Sequence, residues 1–160
     1  MLNMAVWRRA LCLLPLLIWL AMPSAAPARA GHGVTGQHAV PPAPGEVTEL
    51  WEGKVLTSHF RVAICVNGRG SLRGAALLRT RSGQVDVYHL EGGVRDGRVE
   101  ARHPSSGHVF SVTLYDGEVR GKLRLNRGLS FDIEGRRTLN VPVTEDCAPV
   151  PEDGWRVQEE

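Results

Sequence analysis

From Asp86 to Ile133 the chain reads DVYHLEGGVR (86–95), DG (96–97), RVEARH (98–103), PSSG (104–107), HVFSVTLY (108–115), DG (116–117), EVRGKLRL (118–125), NRG (126–128) and LSFDI (129–133). Segments that alternate apolar and polar residues are separated by Asp96-Gly97, Asp116-Gly117 and Asn126-Arg127-Gly128, all of them hairpin turn sequences, and by a four-residue connection, Pro104 to Gly107. Directly opposed residues of antiparallel strands share a face, so the turns set a register. Val94 falls opposite Val99, Gly92 opposite Ala101 and Leu90 opposite His103. His103 then meets His108, Ala101 meets Phe110, and Val99 meets Val112. Beyond the next turns Leu114 pairs with Val119, Phe110 with Leu123 and Leu125 with Leu129, leading to Phe131 and Ile133. One face is therefore apolar through five consecutive strands. The other carries Glu100, Arg102, Glu118, Arg120, Lys122, Arg124, Asp132 and Glu134, the composition of a wet surface with cross-strand ion pairs.

Upstream, Trp51 to Leu56 and the alternating run Phe60, Val62, Ile64 and Val66 read as strands, and so do Leu72 to Thr80 and Gln84 to Val94. No stretch after residue 30 carries a helical period. Short strands joined by glycine turns predict an all-β domain: a small antiparallel up-and-down β-barrel, a lipocalin- or calycin-like meander, with a two-sheet β-sandwich as the alternative. Counting back through a two-residue turn at Ser82-Gly83 sets Arg79 opposite Asp86, Leu77 opposite Tyr88 and Ala75 opposite Leu90, all facing inward. The outer face of these strands would then hold Ala63, Cys65, Ala76, Leu78, Val85 and Val87. An outer patch that apolar needs a cover. The candidates are the C-terminal segment with Leu139, Val141 and Val143, or a partner chain.

The N-terminal thirty residues follow the order of a secretory signal peptide: Arg8 and Arg9, an apolar run from Ala10 to Met22, then Ala28-Arg29-Ala30. Cleavage after Ala30 is expected, an uncleaved anchor being the alternative. Residues 31–46, with His32 and His38 among prolines and glycines, read as a flexible leader. Residues 47–147 form the barrel domain and 148–160 an acidic tail around Trp155. The processed chain keeps 16 of the 19 Lys and Arg against 17 Asp and Glu, a formal net of −1, which removes the charge a nucleic-acid binder would use. It also keeps two of three cysteines, Cys65 and Cys147. In an oxidising compartment that pair reads as one disulfide, with free thiols or a metal site as the alternatives. The expected location is periplasmic or secreted, with no membrane span left after cleavage.

The inner-face count gathers Arg79, Asp86, Tyr88, His103 and His108 at one end of the apolar face. Polar groups there must pair with one another or fix a ligand at a barrel mouth. A catalytic zinc would need three protein ligands; His103 and His108 supply two and Asp86 a third, whereas His89 falls on the other face. Ser105 and Ser106 lie between the two histidines in a turn sequence without a third orienting group, so no catalytic residue is assigned. No phosphate loop, zinc cysteine pairs or dinucleotide fingerprint is present, and no cofactor is expected.

The run Ser105-Ser106-Gly107-His108-Val109-Phe110 resembles the membrane-bound and periplasmic lysozyme inhibitor family, exported small barrels in which a Ser-Gly-x-x-Tyr stretch enters the lysozyme cleft. Ser106, Gly107 and Phe110 match that stretch with Phe in place of Tyr, and Cys65 with Cys147 fits the family's bridge from an early strand to the C-terminus. The resemblance covers about a dozen positions, and Asp116 to Gly121 has no counterpart in it. It implies that Ser106 is the inserting residue of a partner-binding loop, Ser105 to Gly107. Three functions are thus expected in order: an exported, non-enzymatic module binding a small ligand at Arg79, Asp86, Tyr88, His103 and His108; a protein-binding module such as a hydrolase inhibitor; and a metal-dependent hydrolase.

Overall fold

The structure, a computed structural model, describes residues 38–155. The expected signal peptide, residues 31–37 of the leader and residues 156–160 of the tail lie outside the described residues. Eight strands follow one another: β1 (Val47–Val55), β2 (Ser58–Val66), β3 (Ser71–Arg79), β4 (Val85–Arg95), β5 (Arg98–Arg102), β6 (Val109–Leu114), β7 (Glu118–Arg124) and β8 (Ser130–Leu139). Each pairs antiparallel with the next, and β8 returns to β1 through Glu49↔Leu139 to Lys54↔Glu134. The sheet is closed: an eight-stranded up-and-down β-barrel rather than two stacked sheets, with no helix among the described residues. Closure leaves no unpaired edge in the sheet.

From β4 to β8 the register is the one the turns imply. Val94 pairs with Val99, Val99 with Val112, Phe110 with Leu123 and Leu123 with Phe131. Asp96 and Gly97 both take positive φ, 51° and 70°, the twist that matches a two-residue turn to its strands. Between β3 and β4 the expected register is off by one. Arg79 pairs with Val85, Leu78 with Asp86, Ala76 with Tyr88 and Gly74 with Leu90. The connection is a three-residue loop, Arg81 to Gly83, closed by Thr80 N–H donating to the Gln84 carbonyl at 2.9 Å, not the two-residue turn counted. Side chains alternate with period two, so this slip reverses the faces of β3 while β4, fixed by β5, keeps its own. Ala76 and Leu78 enter the core; Ala75, Leu77 and Arg79 turn outward, Ala75 lying opposite Ala63 and Leu77 opposite Arg61.

Two apolar clusters result. The larger fills the barrel with Trp51, Phe60, Val62, Ile64, Leu90, Val99, Phe110 and Val119 among others. The smaller lies outside it: Ala63, Cys65, Val143 and Cys147, with Val141 packed against them. The outer patch is thus covered by the chain's own C-terminal segment, pinned by the Cys65–Cys147 disulfide. Hydrogen bonds extend the seam, with Thr48 Oγ1 donating to the Val141 carbonyl at 2.7 Å and Val40 N–H to that of Val143 at 2.8 Å. Further on, Arg61 reaches the Val150 carbonyl and the Glu152 carboxylate (2.7 Å), and the Arg79 guanidinium sits 4.7 Å over the Trp155 ring.

The strands have two ends. At the end holding Val47, Leu114 and Leu139, Glu49 and Arg137 meet inside the barrel, and Glu49 Oε2 also accepts from Trp51 Nε1 at 2.9 Å. That ion pair closes one end. The other end, with Val55, Ser58, Tyr88 and Leu125, is open to a cavity.

A candidate ligand cavity at the open end of the barrel

The cavity has a volume of about 240 Å³. Trp51, Val62, Val119 and Ile133 line it toward the closed end, and Phe60, Leu78, Leu123, Leu125 and Phe131 line it toward the opening. It exists because the inward side chains of a small barrel do not all fill their share of the interior: Ala76, between Val62 and Tyr88 on the wall, contributes only a methyl group. The polar groups in its wall are few, namely Ser58, Tyr88 and His108. An apolar chamber with a small number of polar groups at its opening is the usual composition of a small-molecule site.

The β5–β6 loop builds the polar part. His103 N–H donates to the His108 carbonyl at 2.9 Å, so the two histidines oppose each other across the four-residue loop as the register implies. Gly107, at φ 71°, makes the tight return. Both rings then meet Tyr88: His103 edge-on with centroids 5.3 Å apart, His108 tilted at 6.0 Å. His103 Nδ1 lies 2.7 Å from Ser106 Oγ and accepts the Ser106 N–H at 3.3 Å. His108 Nδ1 accepts the Asn126 N–H at 3.4 Å. A backbone N–H can donate only to an unprotonated nitrogen, which assigns the proton of each neutral ring to Nε2. Burial, with the neighbouring His108 and His89, pulls the His103 pKa below the ordinary imidazole value. Burial, reinforced by the Asp86 charge, pushes the Tyr88 phenol above its ordinary value. The tyrosine is therefore a neutral donor and acceptor across the physiological range.

Of the five residues expected at the mouth, Tyr88, His103 and His108 form one cluster. Asp86 sits on the same face, two residues before Tyr88, where its Oδ1 accepts from Gln84 Nε2 at 2.9 Å, but it does not line the cavity. Arg79 does not join them. It lies on the outer face, donating to the Gly154 carbonyl at 3.1 Å, as the register slip at the β3–β4 loop requires. Ser105 and Gly107 are exposed, whereas Ser106 is half-buried against His103, and Phe110 is buried in the core rather than presented by the loop. Leu56 and Ser58, in and just after the β1–β2 turn, also line the opening. In the sequence Leu56 reads as the end of the first strand and Ser58 as part of the connection after it, and nothing there marks either as lining a cavity. Among the described residues, no group of three or more His, Cys, Asp or Glu is arranged to hold a metal ion.

The fold and the cavity define a closed up-and-down barrel with an apolar chamber open at one end. Comparison of the chain with models of protein families, with curated proteins and with solved structures returned no match.

Proposed function

We propose that this protein is a non-enzymatic carrier that holds a small, mostly apolar molecule inside the barrel with one hydrogen-bonding head group at Tyr88 and His108. The observation that supports the reading is the cavity itself, about 240 Å³ with three polar groups near its mouth. A dry cavity of ~150 Å³ takes up benzene, so this one suits a ligand of roughly ten non-hydrogen atoms, such as a substituted single ring or a short branched chain. The Tyr88 hydroxyl offers both donor and acceptor, and His108 offers Nε2–H to a carbonyl or hydroxyl oxygen. Asp86 beside Tyr88 disfavours a carboxylate head. An exported setting, periplasmic or secreted, is part of the proposal, since a Cys65–Cys147 disulfide persists in an oxidising compartment.

The test is native mass spectrometry of protein isolated from its own host, followed by displacement of an apolar fluorescent dye by compounds of the stated size. Ala76→Phe, which fills the chamber, should abolish displacement while leaving the far-ultraviolet circular dichroism of the barrel unchanged. Undiminished dye uptake by a folded Ala76→Phe variant would overturn the assignment of the site.

A further inference from the structure

The open end of the barrel differs from the closed end in charge, and although Val47, Tyr115 and Leu139 are exposed at the closed end, the two most exposed leucines stand at the open one. Lys54, Arg81, Arg124 and Arg127 stand exposed around the opening, and none of them takes part in an ion pair among the described residues. The acidic residues nearby are committed elsewhere. Asp132 pairs with Lys122 at 2.6 Å, Glu134 with Arg120 at 3.1 Å, and Asp86 faces inward with Gln84 on its carboxylate. The closed end instead mixes Arg95 and Arg98 with Asp96 and Asp116 on neighbouring turns.

Within the basic ring, two leucines project into solvent. Leu56 is 72% exposed at the tip of the β1–β2 hairpin, and Leu129 is 60% exposed at the β7–β8 hairpin. These hairpins are neighbours, because β8 pairs with β1. Leu56 is held at φ 54°, a left-handed conformation that costs a branched-chain residue free energy and recurs where function maintains it. It also borders the cavity. A solvent-exposed leucine in a strained turn at a cavity mouth, beside a second leucine and four cations without an ion pair among the described residues, fits an interface that is apolar at its centre and anionic around it.

We infer that the open end docks on a bilayer surface carrying anionic headgroups. Leu56 and Leu129 enter the interfacial layer, Lys54, Arg81, Arg124 and Arg127 attract the headgroups, and the cavity faces the membrane from which an apolar ligand would come. Apolar area and anionic attraction are the two contributions that make a peripheral protein membrane-bound. The docking does not depend on which ligand the cavity takes, and it is measured with no ligand present.

The experiment is co-sedimentation of the purified full chain with vesicles of phosphatidylcholine alone and of phosphatidylcholine with about a third phosphatidylglycerol. The Leu56→Asp/Leu129→Asp and Lys54→Glu/Arg127→Glu variants are compared in the same chain, so any contribution from the N-terminal residues is common to all. Binding to the anionic vesicles should exceed that to the neutral ones by about tenfold at ~0.1 M salt and fall toward it at ~1 M. Each double variant should lose at least about fivefold while keeping the wild-type melting temperature. Equal binding to both vesicle types, wild-type binding by folded variants, or no vesicle binding with capture of a protein partner at the same residues would each overturn the inference. Dye displacement without vesicles reports separately on the carrier reading, so the two can fail independently.

Discussion

Arg137 on β8 donates from Nε to Glu49 on β1 at 2.8 Å, and the two close the barrel at the end away from the cavity. Both side chains point inward, Glu49 sharing its face with Ile64 and Arg137 with Trp51. The Glu49 hydrogen bond raises the guanidinium pKa against the effect of burial, so Arg137 keeps its charge. Because Glu49 also accepts the Trp51 indole N–H, its removal leaves a buried donor without a partner and a part-buried cation with, among the described residues, only the Tyr115 carbonyl to donate to. Glu49→Ala should cost about 3 kcal/mol, the low end for a broken buried pair because Arg137 keeps some contact with water. Glu49→Gln with Arg137→Met, which keeps an acceptor for Trp51, should recover most of that loss. Urea unfolding at constant m-value measures both.

The disulfide closes a span of 82 residues and anchors the segment that covers Ala63 and Cys65. In the chain-entropy account a loop of that length is worth roughly 4 kcal/mol. Cys65→Ala/Cys147→Ala should lose about this much on denaturant unfolding. If the C-terminal segment loosens before the barrel does, the variant also gains fluorescence from an apolar dye at the outer face, with far-ultraviolet circular dichroism unchanged. Unaltered stability on reduction would mean that Thr48, Arg61 and Arg79 hold the segment without the bond.

These two features were unequally legible in the sequence. The barrel from β4 to β8 could be counted because Asp96-Gly97, Asp116-Gly117 and Asn126-Arg127-Gly128 announce the lengths of their turns. The register differs at β3, since Thr80-Arg81-Ser82-Gly83-Gln84 admits either a two- or a three-residue turn and the middle of β3, Ala75 to Leu78, is apolar on both faces; only Arg73 and Arg79, which the two-residue turn sets inward, argued for the other choice. The two-residue turn sets Arg79 at the mouth and the three-residue loop removes it, leaving Tyr88, His103 and His108, whose positions rest on β4 and on the β5–β6 loop. The Glu49–Arg137 closure was not legible at all. It joins the first strand to the last, and only barrel closure brings them together.

His103 gives the fold a pH dependence with a fixed sign. Its folded pKa lies below that of the unfolded imidazole, because burial and the adjacent histidines disfavour the cation. The unfolded chain therefore takes up a proton first as pH falls. Stability is complete above about pH 6.5 and declines as the pH drops through the folded value. Protonation also places a hydrogen on Nδ1, where Ser106 N–H now donates. His103→Gln should flatten the acid limb of a plot of melting temperature against pH, whereas His89→Gln, on the exposed outer face, should change it much less.

Tyr88→Phe separates the head-group contact from the apolar part of the cavity. The substitution removes one hydroxyl from a ring that keeps its contacts with His103 and His108, so the fold should be unaffected. A ligand with a hydroxyl or carbonyl head should lose about 1 kcal/mol, close to a fivefold weaker Kd, while an apolar ligand of equal size should lose nothing.

Gly121 on β7 tests how closely the barrel wall is packed. A β-carbon there would overlap the Ser111 carbonyl oxygen and lie 2.6 Å from Val112 Cα, both backbone atoms of β6 that cannot turn aside. Gly117, in the β6–β7 turn, has open space around it but a φ of 72°. The two glycines thus isolate different costs, steric overlap in one case and backbone conformation in the other. Gly117→Ala should lose about 1 kcal/mol, the penalty for a left-handed alanine. Gly121→Ala should lose about 3 kcal/mol or more, because β6 and β7 must separate to admit the methyl group and the wall lined by Phe110 and Leu123 moves with them. Thermal unfolding of the two variants side by side measures the difference, and equal losses would show that the wall yields at Gly121 without strain.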